Sequence, residues 1–131
     1  MDSHARVVTA AVCAVLLLAP QLVSAQTDPG RIHFQAGAAD YESGDYEHAL
    51  GEFQRAYELS QRKQLFYNIA LSYQQLGDLE HAIEFLGRYL SEVQEIPNRA
   101  ALERRQANLQ RRLDAQNAQA AEQSAAEQAA E

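Results

Sequence analysis

Histidine and carboxylate side chains are the residues of this chain that could perform acid–base chemistry or bind a metal. Two histidines recur in equivalent surroundings, because His48 and His81 each follow an aspartate by three positions. They are 33 residues apart, and if that step is a structural repeat they lie one unit apart, too far to share a metal ion. We expect both at the solvent edge of a helix's first turn.

The other components of a catalytic site are missing from the sequence. The single cysteine, Cys13, lies in an N-terminal apolar run, and the chain has neither a glycine-rich phosphate loop nor a His-Glu-x-x-His metal pair. A set of nearby acidic residues predicts a solvated face rather than a buried general acid. This set is Glu42, Asp45, Glu47 and Glu52. We therefore predict no enzymatic activity, no bound metal and no cofactor.

The element that positions these residues is a repeat. The segment from Gly44 to Leu50 returns as the segment from Gly77 to Ile83, with Gly-Asp followed by Glu-His-Ala in both copies. Glycine supplies the left-handed residue that ends one helix, and the following aspartate can cap the next. A hinge of two residues makes the flanking helices antiparallel, so the repeating unit is a helix pair.

Apolar residues at helical spacing support this interpretation. In the second helix of the second copy they form a stripe wide enough to face a core: Leu79, Ala82, Ile83, Leu86, Tyr89, Leu90 and Val93. The corresponding stripe of the first copy is Tyr46, Ala49, Leu50, Phe53, Ala56 and Tyr57. Ala49 and Ala82 are small enough to allow close approach of a neighbouring backbone. The sequence predicts an all-α fold, with helices at about Pro29–Ser43, Tyr46–Leu59, Lys63–Leu76 and Leu79–Gln94.

The pattern resembles the tetratricopeptide repeat over Gly30 to Pro97. The second copy matches it at Phe66, Ile69, Ala70, Tyr73, Ala82, Leu86 and Pro97. The first copy keeps Gly37, Ala49, Phe53 and Ala56, and has His33 and Asp40 where the pattern prefers aromatic residues. The resemblance, to exported bacterial members with two repeats, implies a solenoid of helix pairs at about residues 30–62 and 63–97, within a domain of residues 26–97.

The resemblance also implies a groove that binds a protein or peptide. Six positions on the first helices of the two repeats match the groove of the family: Phe34, Ala38, Tyr41, Tyr67, Leu71 and Gln74. The Lys, Arg and Asn side chains with which some members grip a terminal carboxylate are not at these positions, so an apolar helix or extended segment is the expected ligand. The alternative is that Phe34, Tyr41 and Tyr67 pack against one another or on the fifth helix, which the sequence predicts after Pro97.

Beyond Pro97 the sequence predicts a fifth helix at residues 98–114. Its leucines Leu102, Leu109 and Leu113 share one face, which suits a helix that caps the exposed end of a solenoid. A coiled-coil seam is the alternative, although the heptads do not persist. Residues 115–131 consist of Ala, Gln, Glu, Asn and Ser, which predicts a frayed helix extension or a disordered tail.

The N-terminus carries an export signal. Arg6 precedes the uncharged run Val7 to Pro20, and Val23-Ser24-Ala25 has the small-residue spacing of a signal-peptidase site. We expect residues 1–25 to be a signal peptide cleaved after Ala25, which places the protein in the periplasm of a Gram-negative bacterium or outside the cell. Retention of the segment as a membrane anchor is the alternative.

Charge and repeat number narrow the class of function. The net charge is −7, and residues 28–97 contain 12 acidic against 5 basic side chains. Because a negatively charged surface repels the phosphate backbone, nucleic acid is disfavoured as a partner. The sequence thus predicts an exported adaptor or scaffold that binds a polypeptide. The alternative function is a structural component of an envelope complex, anchored by an uncleaved N-terminal helix or assembled through the last helix. Two repeats fall short of the usual three, so a homo-oligomer is a further possibility.

Overall fold

The computed structural model describes residues 28–130 and contains five α-helices in this range. Their bounds are α1 Pro29–Ser43, α2 Tyr46–Ser60, α3 Leu65–Gln75, α4 Leu79–Glu92 and α5 Arg99–Ala130. No strand occurs among these residues. The prediction of an all-α fold built from antiparallel helix hairpins is confirmed. The predicted signal peptide, residues 1–25, lies outside the described residues.

The two hairpins bend at equivalent glycines. Gly44 and Gly77 have φ angles of 86° and 82°, the left-handed conformation that costs glycine no steric strain. In each bend the next residue caps the following helix, because Asp45 Oδ1 accepts from the backbone N–H of His48 (3.2 Å) and Asp78 Oδ1 accepts from that of His81 (3.1 Å). The same chemistry therefore ends one helix and begins the next in both copies.

Helix α3 begins two residues later than the sequence predicts. Gln61 takes a positive φ of 54° and ends α2, and residues 62–64 form a turn in which the Leu65 N–H donates to the Arg62 carbonyl (3.1 Å). The first copy lacks a proline that would end its second helix, and the left-handed residue performs that task instead.

Successive helices pack side by side, and small residues allow the close contacts. Ala49 and Ala82 are fully buried, and Phe53 and Leu86 lie beside them in the cores of the two hairpins. A Cβ atom on Gly37 would lie 2.9 Å from Cδ1 of Phe53, so the absence of a side chain there lets α1 approach α2. Helix α3 contributes residues to both core clusters, which joins the hairpins into one unit.

Helix α5 docks on α4 in the way that α3 docks on α2. At the α2–α3 interface Gln54 donates to the Tyr73 hydroxyl (3.1 Å) and the rings of Tyr57 and Phe66 are 4.7 Å apart. One repeat step of 33 residues later, the corresponding pairs, Gly87 with Gln106 and Leu90 with Arg99, are again in contact. Gln106 packs so closely on Gly87 that a Cβ atom at position 87 would lie 2.9 Å from Gln106 Nε2. Arg99 Nη1 donates to the Leu90 carbonyl (2.6 Å). Helix α5 thus occupies the place of the first helix of a third repeat.

The outer edge of α1 explains why the first copy departs from the repeat pattern. His33 and Asp40 are the counterparts of Phe66 and Tyr73, which α2 covers; no helix among the described residues covers the same side of α1. Polar residues are therefore tolerated there. His33 Nδ1 lies 2.6 Å from Glu52 Oε2, so Glu52, expected from the sequence on a solvated face, is instead half-buried and paired with His33.

The C-terminal part of α5 leaves the body of the protein. From Asp114 to Ala130 every side chain is exposed, because the segment carries no large apolar residue that could anchor it. Its fraying in solution stays a prediction. Within residues 28–130 no helix combines the length and the apolar character that crossing a membrane requires.

Candidate functional site

A trough runs between α1 and α3, on the side away from α4. Both helices pack on α2 and make few contacts with one another, which leaves two adjoining cavities of about 360 and 150 Å³. The larger cavity is lined by Gly30, Phe34, Ser60, Arg62, Gln64, Leu65 and Asn68. The smaller is lined by Phe34, Ala38, Tyr41, Glu42, Phe53, Asn68 and Leu71. Because Phe34 and Asn68 border both cavities, they form one continuous trough.

Four of the six predicted groove residues meet in this trough. Phe34, Ala38 and Tyr41 supply the α1 wall, and Leu71 supplies part of the α3 wall. The Phe34 ring is 41% exposed and lies 6.0 Å from the ring of Phe53, which is only 3% exposed. A buried ring thus forms the floor, and an exposed ring stands between the two cavities.

The other two predicted groove residues, Tyr67 and Gln74, are not among the residues that line the trough. The Tyr67 ring lies 5.4 Å from that of Tyr89 and packs on the core between α4 and α5. Gln74 Oε1 accepts a hydrogen bond from Arg105 Nε (3.0 Å). Leu71 lies on the flank of α3 that faces α1. Tyr67 and Gln74 lie on the opposite flank, which faces α5. Contact of any of the six residues with a partner stays a prediction.

Asn68 is a trough residue that the sequence analysis does not single out. It borders both cavities and is half-buried. Its side-chain amide offers a carbonyl acceptor and two N–H donors, the groups needed to bind a peptide backbone. A sequence signal does exist, because Gln64, Asn68 and Leu71 follow one another at helical spacing on a single face of α3.

The walls of the trough are largely uncharged, and its charges lie at the ends. At the end near Gly30, Arg62 Nη2 lies 2.9 Å from Asp28 Oδ2. At the other end stands Glu42, and nearby Gln75 Nε2 donates to the Tyr41 hydroxyl (3.3 Å). An uncharged ligand segment would therefore meet little uncompensated charge in the middle of the trough.

The recurring histidines lie outside the trough, in the first turns of α2 and α4. His48 Nδ1 is 2.6 Å from Asp45 Oδ2, and His81 Nδ1 is 2.7 Å from Asp78 Oδ2. These hydrogen bonds to aspartate are the main reason why the pKa of each imidazole is raised above its ordinary value of 6.5. The bond to His48 likewise lowers the pKa of Asp45. Among the described residues no group of three or more His, Cys, Asp or Glu side chains could hold a metal.

We expect both histidines to titrate above 6.5 in an NMR pH titration of the folded protein. Because the folded pKa is the higher one, the stabilisation from each pair is complete below pH 6.5 and is lost as the pH rises through the raised pKa. Asp45 has a lowered pKa in the folded state. Its contribution to the free energy of unfolding is therefore lost as the pH falls through that lowered pKa. The Asp45→Asn variant should lower the pKa of His48 toward its ordinary value, because the main raising partner is lost, and leave the pKa of His81 raised. An unchanged His48 titration in that variant would contradict this assignment.

Comparison with known families agrees with the geometry. Residues 64–91, which hold α3 and most of α4, match the family model of the tetratricopeptide repeat. No curated protein matches the chain. Proteins with this repeat are typically interaction scaffolds for other proteins rather than enzymes. The first hairpin and α5 lie outside the matched residues. The contacts between α2 and α3 recur 33 residues later between α4 and α5. The chain thus contains a segment, residues 64–91, that matches the tetratricopeptide repeat, within a fold of paired helices of that type.

Proposed function

We propose that this protein is an exported interaction module that binds an apolar segment of a partner polypeptide in the trough between α1 and α3. The observation that carries the proposal is the exposed Phe34 ring between two adjoining cavities with a buried apolar floor. A concave, mostly apolar pocket with a few polar groups at its edge is the usual form of a ligand-binding site.

The two cavities suggest how a segment would be held. The larger volume, about 360 Å³, has room for a large aliphatic or aromatic side chain of the ligand. The smaller, about 150 Å³, lies beside Ala38, where the small side chain leaves space. Asn68, between them, can bond to the ligand backbone. Peptides usually bind through a few apolar side chains that fill pockets of the protein. Hydrogen bonds between the protein and the peptide backbone then fix the position of the peptide along the groove.

Site-specific photo-crosslinking in the native envelope tests this proposal. We expect a photoreactive phenylalanine analogue at position 34 to crosslink a partner protein, because Phe34 borders both cavities. The same analogue at Leu59, which is 42% exposed on α2, should not crosslink it. Equal crosslinking from both positions would mean that the trough is not the binding face.

Substitutions then measure the contribution of the trough to affinity for the crosslinked partner. The Phe34→Ala, Leu71→Ala double variant removes both walls and should weaken binding about 30-fold or more, the effect typical of central anchor residues. Leu59→Ala should leave the affinity unchanged. An unaltered affinity of the double variant, measured by titration calorimetry, would refute the proposed binding face.

Export is part of the proposal and depends on the N-terminal pattern alone. Arg6, the apolar run up to Pro20 and the small residues before Gln26 support cleavage after Ala25. The intact mass of the protein recovered from the envelope decides the point. A mass that retains residues 1–25 would favour the alternative function, an anchored structural component of an envelope complex.

A further inference from the structure

The first half of α5 presents an arginine face. It consists of Arg104, Arg105, Arg111 and Arg112, in a protein whose net charge is −7. Residues seven apart in a helix lie on nearly the same line, so the pairs 104/111 and 105/112 form two adjacent lines and together cover an arc of about 120°. The leucines of α5 that contact the core lie on another side of the helix.

None of these four arginines forms an ion pair within 4.0 Å with a carboxylate of the residues that the structure describes. Arg105 directs Nε to the neutral Gln74, and Arg111 directs Nη2 to the neutral Asn108. Elsewhere in the described chain, basic side chains do pair with acids. These side chains are Arg55, Arg62, Lys63 and Arg88. The arginine face therefore concentrates positive charge on a molecule that is otherwise acidic.

The contacts of α5 place this face next to the trough helices rather than at the end of the array. The hydrogen bond from Arg105 to Gln74 (3.0 Å) turns the arginine face toward α3. The repeat step of 33 residues makes Arg104 the counterpart of Leu71, which lines the trough. The side of α5 that would face a further helix carries exposed Ala100, Glu103 and Ala107 instead. The arginines thus continue the binding side of the array, about one helix spacing of 8–10 Å beyond α3.

We propose that the arginine face of α5 binds acidic side chains of the same partner segment whose apolar residues fill the trough. This inference rests on the proposed function and specifies the chemistry of the partner. An extended chain advances about 3.3 Å per residue, so one helix spacing corresponds to about three residues. Because the trough reaches from α3 to α1, one further helix spacing away, the partner segment carries carboxylates about three to six residues from its apolar anchor. A phosphate backbone is the less suitable anion, because the repeats beside the face contain 12 acidic against 5 basic residues.

The test uses three synthetic peptides that share an apolar centre and differ only in flanks of glutamate, glutamine or lysine. Fluorescence anisotropy with protein purified from expression of the full chain should give an affinity for the glutamate peptide about fivefold above that for the glutamine peptide. The Arg104→Gln, Arg111→Gln double variant should abolish this difference and leave the glutamine peptide bound as before. Arg55→Gln, the same charge change on α2, should preserve the difference. Charge reversal to glutamate at 104 and 111 should make the lysine peptide the preferred ligand.

Each other outcome overturns the inference. If the glutamate and glutamine peptides bind equally to the wild-type chain, the arginine face does not bind acidic flanking residues. The inference then fails, while the proposed function stands. If none of the three peptides binds, the proposed function fails as well. Binding of duplex DNA or anionic lipid vesicles that exceeds peptide binding and disappears in the double variant would assign the face to those partners. Sedimentation that shows a dimer in the wild-type chain and a monomer in the double variant would assign it to a second copy.

Discussion

Replacement of Phe66 by alanine is expected to destabilise the protein by about 3–5 kcal/mol, the usual cost of removing a large buried ring. Phe66 has no exposed surface. Its ring lies 4.7 Å from that of Tyr57 and 5.9 Å from that of Phe85, and the Arg88 guanidinium carbon is 4.0 Å from its centroid. The residue therefore joins α2, α3 and α4, so the cavity left by alanine would weaken the contact between the two repeats.

Urea unfolding followed by far-ultraviolet circular dichroism measures this effect. A domain of this size has a stability of only about 5–15 kcal/mol, so the midpoint should fall sharply or the variant should be unfolded in water. Phe34→Ala is the matched control, because that ring is 41% exposed, and its midpoint should change little. Equal midpoints for the two variants would show that the repeats do not depend on the Phe66 contact.

The second large effect is expected for Leu109→Ala, at about 2–5 kcal/mol. Leu109 is 4% exposed and belongs to the core cluster that includes Ala82, Leu86 and Leu90. It is the best buried anchor of α5, and without α5 the apolar face of α4 would be exposed to water. Loss of this contact therefore removes the cap from the array.

A truncation after Asp114 is the control for the capping helix. Every side chain from residue 115 to 130 is exposed, so removal of the tail should change the unfolding free energy by no more than about 0.5 kcal/mol. The unfolding midpoint should also be independent of protein concentration. A midpoint that rises with concentration and falls on truncation would instead support a coiled coil formed by the last helix.

The helices and their hinges could be predicted from the sequence because their causes are local. Glycine followed by aspartate ends one helix and caps the next within a few residues, and the apolar period assigns one face of each helix to a core. The α1 bounds expected from this reasoning, Pro29–Ser43, coincide with those of the structure. The start of α3 differs because Gln61, a residue with no strong preference for a left-handed conformation, adopts one.

The trough could be predicted only in part. One flank of α1, which faces α3, carries Phe34, Ala38 and Tyr41. Stacking of the two repeats side by side is enough to place this flank beside Leu71. For Tyr67 and Gln74 the helical period is correct, but which neighbour covers their side of α3 depends on how α5 docks. Helical spacing places Asn68 on the same face of α3 as Leu71. The cavities that it borders depend on the gap between α1 and α3, which the whole of α2 separates in the chain.

The repeating helix pairs, their caps and their hinges follow from the sequence alone, since each depends on a short segment that recurs after 33 residues. Four features follow only from the packed structure: which flanks of the helices meet, where the trough opens, the pairing of His33 with Glu52, and the position of the α5 arginines beside α3. Those features depend on the stacking of separate helices. A helical period defines a face, and only packing decides what that face meets.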